Sequence, residues 1–165
     1  MLDIGEVRER GRRARGPRSG ISTVELAMVL PLLLVLLFGI IEFGLIVKDV
    51  MGINQAAREG ARAAVVGATP SIIDVRINGA AATLDVNQLT KLYEYRHLYE
   101  DTATWGEWTV LGTCDGDNNA VDGDQIRVSI DYTHQLVSGG LFSGLADNPE
   151  EGTMTLSSAI IMRRE

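Results

Sequence analysis

Hydrophobic and polar positions divide the chain into three regimes. From Leu26 to Val47 the sequence reads LAMVLPLLLVLLFGIIEFGLIV, 22 residues with a single charge at Glu42. About 20 such residues, at about 1.5 Å each, cross the hydrocarbon of a bilayer as a helix. A buried helix of a globular domain is seldom apolar on every side for that length. Beyond Lys48 the pattern narrows to a 3.6-residue period that carries the helix on to Val66, where Gly67-Ala-Thr-Pro70 stops it. Ser71 and Asp74 resemble a capping pair that opens a short helix to about Leu84. The period then changes to two. Ile126, Val128, Ile130 and Tyr132 alternate with Gln125, Arg127, Ser129, Asp131 and Thr133, and Met154, Leu156, Ser158, Ile160 and Met162 define a second strand. Leu89–Arg96 and Trp105–Leu111 are weaker strand candidates. The expected fold class is α+β: a long N-terminal transmembrane helix continuing into a small head with a short helix and an antiparallel sheet. The expected divisions are a basic leader over 1–20, the helix over 21–66 and the head over 67–165.

Charge adds direction. Residues 1–20 hold six arginines against Asp3, Glu6 and Glu9, a formal +3; residues 21–47 hold Glu25 and Glu42, −2; residues 48–165 hold nine basic and seventeen acidic side chains, −8; together these give the net −7. Positive charge ahead of the span keeps the N-terminus cytoplasmic and sends the head across the membrane. An ordinary secretory signal fits poorly, because Lys48-Asp49-Val50-Met51 after the run has no small-residue cleavage site. An acidic head argues against nucleic-acid partners, which need clustered positive charge. Pro31 removes one backbone donor within the span.

Candidate chemistry is sparse. Cys114 is the one cysteine, so neither an intramolecular disulfide nor a cysteine-built zinc site can form. His97 and His134 lack metal-motif spacing. Asp115, Asp117, Asn119, Asp122 and Asp124 crowd one loop, as oxygen ligands for calcium do. Counted as an EF-hand from Asp115, however, the glycine slot holds Ala120 and the glutamate slot Ile126, so the expectation is an ordinary acidic turn with no metal. No nucleophile elbow, phosphate-binding loop or other catalytic constellation stands out, and neither an enzyme activity nor a cofactor is expected. The 138–145 loop mixes glycine with Leu141, Phe142 and Leu145, which suit either a partner or membrane surface or the head's own core. Glu42, with five residues between it and Lys48, suits the outer headgroup level, where it reaches water; a charge on a partner helix is the other choice. Ala57, Gly60, Ala61 and Ala64 form a small-residue seam that allows close helix packing, against another subunit or under the chain's own head.

At the membrane entry stands Gly20-Ile21-Ser22-Thr23-Val24-Glu25. This resembles the processing site of type IV prepilins and pseudopilins. The resemblance implies that a prepilin peptidase cuts between Gly20 and Ile21, leaving Glu25 as the fifth mature residue. A carboxylate at the edge of hydrocarbon is costly unless paired, and the new amine on Ile21 supplies a partner that would set subunit register. Val24-Glu25-Leu26-Ala27 with Leu30-Pro31, then Phe38-Gly39-Ile40-Ile41-Glu42-Phe43-Gly44, then Ala56-Ala57-Arg58-Glu59-Gly60-Ala61-Arg62, are similar to the TadE-like family of tight-adherence (Tad) pili. The similarity is close over 19–66, and Ile160–Glu165 looks like the family's closing strand. Leu26 departs from the aromatic found there in many relatives. The resemblance implies a non-catalytic minor pilin or pseudopilin of the cytoplasmic membrane, partnered by prepilin peptidase and other pilus subunits, with a pilin-like head. The competing expectation is an unprocessed signal-anchor protein whose head binds a ligand or partner.

Overall fold

The structure, a computed structural model, describes residues 19–99, 101, 103–112 and 116–165. The leader up to Arg18, together with Cys114 and Asp115, lies outside the described residues. Helix α1 runs from Ser19 to Val65, 47 residues with Pro31 inside it. The chain falls into two compact units that meet within this helix, at Gly39 and Ile40. In the first unit the described residues are helix, and their apolar side chains stay exposed, from Val24 through Phe38. α1 is also the one described helix long and apolar enough to cross a membrane.

The second unit, Ile40–Glu165, contains the head and the latter half of α1. α2 spans Pro70–Ala80, with the proline in the first turn, where its missing N–H costs nothing. Ser71 and Asp74 do not form the expected cap. Thr69 is the N-cap, without a side-chain hydrogen bond, and Asp74 is engaged with the sheet instead. Among the described residues six strands follow: β1 Leu89–Arg96, β2 Leu98–Tyr99, β3 Thr104–Trp105, β4 Thr109–Val110, β5 Gln125–Gln135 and β6 Thr153–Arg163. β4, β1, β5 and β6 make an antiparallel sheet in that order, while β2 and β3 pair separately. The single strand expected over Trp105–Leu111 is thus two short pieces in different sheets.

Register decides which residues enter the core. Tyr93 faces Val128, and Val128 faces Ile160. The even positions of β5, Ile126, Val128 and Ile130, are fully buried against α1 and α2. α1 contributes Ile53, Ala56, Ala57, Ala61 and Ala64, and α2 contributes Ile73 and Ile77. Small residues on α1 let the sheet and α2 approach closely. At Gly60 a Cβ would lie 2.7 Å from the Ile77 side chain and 3.3 Å from that of Val128. On the opposite face Arg96 stacks over Trp105 and Trp108 at 5.1 and 4.4 Å, and Arg127 over Trp108 at 4.2 Å, a cation–π cluster that shields the Glu94–Arg127 ion pair.

The helix end is closed by chemistry the sequence placed far away. Gly67 has φ +87°, its N–H bonds Ala64 O, and Ala68 N–H bonds Ala63 O, the paired bonds of a Schellman motif. Asn118, 54 residues beyond Ala64, donates to Ala64 O at 2.8 Å and to Ala68 O at 3.0 Å. The acidic loop therefore caps α1.

Candidate functional site

Glu42 and Asp49 stand seven residues apart, two helical turns on one face of α1. Both are buried, at 3% and 5% exposure, and both face β5. β5 alternates core residues at even positions, and the last of these is His134, 4% exposed. Its Nδ1 lies 2.7 Å from Asp49 Oδ2. An ionised carboxylate only accepts, so Nδ1 carries the proton and donates. The other ring nitrogen, Nε2, points towards Glu42 Oε1 at 3.7 Å and has no hydrogen-bond partner. Glu42 is satisfied elsewhere. Its two oxygens accept the backbone N–H groups of Val137 and Ser138 at 3.0 and 3.1 Å. Two successive N–H groups aimed at one carboxylate form an anion-binding nest. Lys48 Nζ adds a contact to Asp49 at 3.4 Å and donates to Thr83 O at 3.2 Å.

This arrangement fastens α1 to the end of β5 and to the chain that follows it. Glu42 does not reach water as expected of it, but binds the backbone of its own head. Sequence reasoning passed over Asp49 and His134. A signal was present, since His134 occupies the inward register of a strand whose other inward positions are apolar.

The remaining candidate residues separate. Gly20, Ile21 and Glu25 lie in the first turns of α1, with the Glu25 side chain exposed. Ala57, Ala61 and Ala64 are fully buried, and Gly60 is buried against α2, so the seam is occupied within the head. In the acidic loop, Asp124 accepts from Val121 N–H at 2.8 Å and pairs with His97 at 2.6 Å. Asp122 lies 3.5 Å from Arg164, whose guanidinium also donates to Ala120 O at 2.5 Å. Asp117 is exposed, and Asn119 Oδ1 is buried without a partner. Among the described residues no three acidic, histidine or cysteine side chains gather as metal ligands would.

Asp74 anchors a second polar cluster. Tyr93 Oη donates to it at 2.6 Å and Lys91 Nζ at 3.0 Å, with Lys91 also donating to Asn78 at 2.9 Å. Burial first, then the bond to Asp74 and its charge, push the Tyr93 phenol well above the ordinary tyrosine range. A raised pKa in the folded state means its stabilising share is full below the unfolded value and is lost as pH rises beyond it. Stability of the chain should therefore fall above about pH 10, the ordinary tyrosine value. Tyr93→Phe should flatten that fall relative to wild type in alkaline unfolding titrations. Equal slopes would show that the phenol does not titrate with folding.

Residues 20–62 match the family model described as TadE-like protein. The α1 segment is TadE-like. The matched stretch begins at Gly20 and ends at Arg62, within α1, so the TadE-like part includes Glu25, Glu42 and Asp49 while the sheet lies beyond it. The TadE-like family is one of tight-adherence pili. Comparison with curated proteins and with solved structures returned no match.

Proposed function

We propose that the chain is a minor pilin or pseudopilin of a Tad pilus, a mechanical component cut after Gly20 by prepilin peptidase. The observation that carries this reading is a coincidence of two starts: the TadE-like match and the glycine–glutamate spacing both begin at Gly20, directly ahead of the apolar run. Cleavage at that point leaves Ile21 as the first residue of a helix unbroken to Val65. The new amine then stands four residues, about one turn, from Glu25 on the same face. In the membrane that pairing offsets the cost of the carboxylate and fixes axial register between neighbouring subunits. The N-terminus stays in the cytoplasm and the head is exported, by the positive-inside rule. Other pilins and assembly subunits are the partners.

The test is the mature N-terminus. Co-expressed with a prepilin peptidase, the wild-type chain should lose residues 1–20 by intact mass, and Gly20→Ala should stay full length. Glu25→Ala should be cut but should fail to join partners by crosslinking. A wild-type chain that keeps its leader sinks the reading and leaves an uncut signal-anchor; a Gly20→Ala chain cut to the same product sinks it by showing that the cut does not depend on Gly20.

A further inference from the structure

Glu42 is the one charge between Leu26 and Val47. It is buried while its neighbours on α1 are exposed and apolar: Ile40 at 72%, Ile41 at 44%, Phe43 at 58% and Val47 at 50%. Its carboxylate holds the backbone N–H groups of Val137 and Ser138. The segment after β5 is therefore tied to α1 at a level inside the apolar run. From Glu42 to Val47 the helix climbs roughly 7–8 Å, so the tie lies that far below the end of the run along the helix. The tied segment then turns through the 3-10 stretch Gly139–Leu145. Along it Val137, Leu141 and Leu145 expose 68%, 52% and 48% of their surface, with Phe142 half-buried beside them. No Lys, Arg, Asp or Glu occurs from Leu136 to Ala146. Exposed apolar side chains held at the depth of an apolar helix face one environment that suits them, the headgroup–acyl boundary of the bilayer.

We infer that residues 137–145 form an interfacial membrane anchor, with Val137, Leu141 and Leu145 immersed in lipid and Glu42 as its tether. The inference rests on the reading of α1 as a membrane span. It gives the acid in the apolar run a role. Free in hydrocarbon, an ionised Glu42 would be expensive; capped by two backbone donors, it becomes the post that draws the loop down. The head is then held at two points, by α1 and by the loop, which restricts its rotation about the helix.

The test places an environment-sensitive NBD fluorophore on single cysteines in the full chain, with Cys114→Ser as background. Leu141→Cys and Leu145→Cys probe the loop, Leu34→Cys probes the span, and Ala159→Cys, exposed on β6, serves as the water-facing control. The chain is reconstituted in phosphatidylcholine–phosphatidylglycerol vesicles containing lipids with doxyl quenchers at both shallow and mid-chain positions. Both loop positions should be quenched to within about twofold of position 34, as an interfacial element requires, and position 159 should be unaffected. Adding Glu42→Gln, which replaces one acceptor oxygen with a donor amide, should lower loop quenching and leave position 34 unchanged. If position 34 is quenched and both loop sites behave like 159, the anchor is overturned while the span stands. If position 34 is not quenched, the span reading falls and the anchor falls with it.

Discussion

His134→Ala should destabilise the folded chain by about 3–5 kcal/mol, the cost of removing one partner from a buried charged contact. The substitution strands Asp49, whose Oδ2 loses its 2.7 Å donor in a site with 5% exposure. It also brings two buried carboxylates, Glu42 and Asp49, face to face with no imidazole between them. Lys48 offsets little, because its ammonium is 3.4 Å away and half exposed. The check is equilibrium unfolding of the detergent-solubilised full chain. Adding Asp49→Asn to His134→Ala should recover part of the loss, since the second change removes the unpaired charge that the first created. A coupling energy of about 0.5–3 kcal/mol is expected for groups in direct contact. A single-variant loss below about 1 kcal/mol, the range of exposed ion pairs, would mean that the clamp is not a stabilising element.

Gly60→Leu should be the next most damaging change. Even a bare Cβ there meets Ile77 Cδ1 and Cγ1 at 2.7 Å, and Val128 blocks the other side at 3.3 Å. Overpacking of a dense core costs about 1–3 kcal/mol and sometimes more. Gain in helix propensity, up to about 1 kcal/mol, works against the loss, so the measured figure understates the clash. Ala61→Leu, at a fully buried position, lacks most of that offset and should cost a similar amount. Both losses belong to the dilute, monomeric chain, because the atoms in the way belong to the same head. A monomer that melts like wild type but no longer crosslinks to its neighbours would move the seam to a subunit interface. Gly52 offers a milder comparison, since the nearest atoms to its Cβ would be those of the Leu84 side chain, from 3.1 Å.

Much of this architecture was legible in the periodicity. The continuous apolar run and the alternation of β5 and β6 depend on local pattern alone, and α1, β5 and β6 lie where that pattern put them. β1 follows the weaker expectation over Leu89–Arg96 to the residue. What local pattern could not show was the choice of partner. A small-residue seam looks the same whether a neighbour or the chain's own α2 fills it, and only the tertiary fold brings Ile77 to Gly60. Asp74 read as a capping acid because the strand carrying Lys91 and Tyr93 is invisible from α2. The crowd of aspartates at 115–124 read as an ordinary acidic turn, and nothing in its spacing told that Asn118 within it caps α1 or that Asp124 binds Val121 and His97. Spacing reveals that polar atoms are close; it does not reveal which orphan groups they will satisfy.

The contacts of α1 also set a timetable. Asp49 waits for His134, 85 residues later, and Asn54 accepts from Ser158, 104 residues later. β6, the last strand, covers one edge of β5 along its whole length. Until β6 arrives, β5 is an open edge and the alanine-rich face of α1 has no complete cover. Folding of the head thus waits on β6 and is governed by distant pairings that form slowly. A chain stopped before residue 153 would present an uncovered strand edge beside a bare apolar helix face, the surface that proteases and chaperones engage.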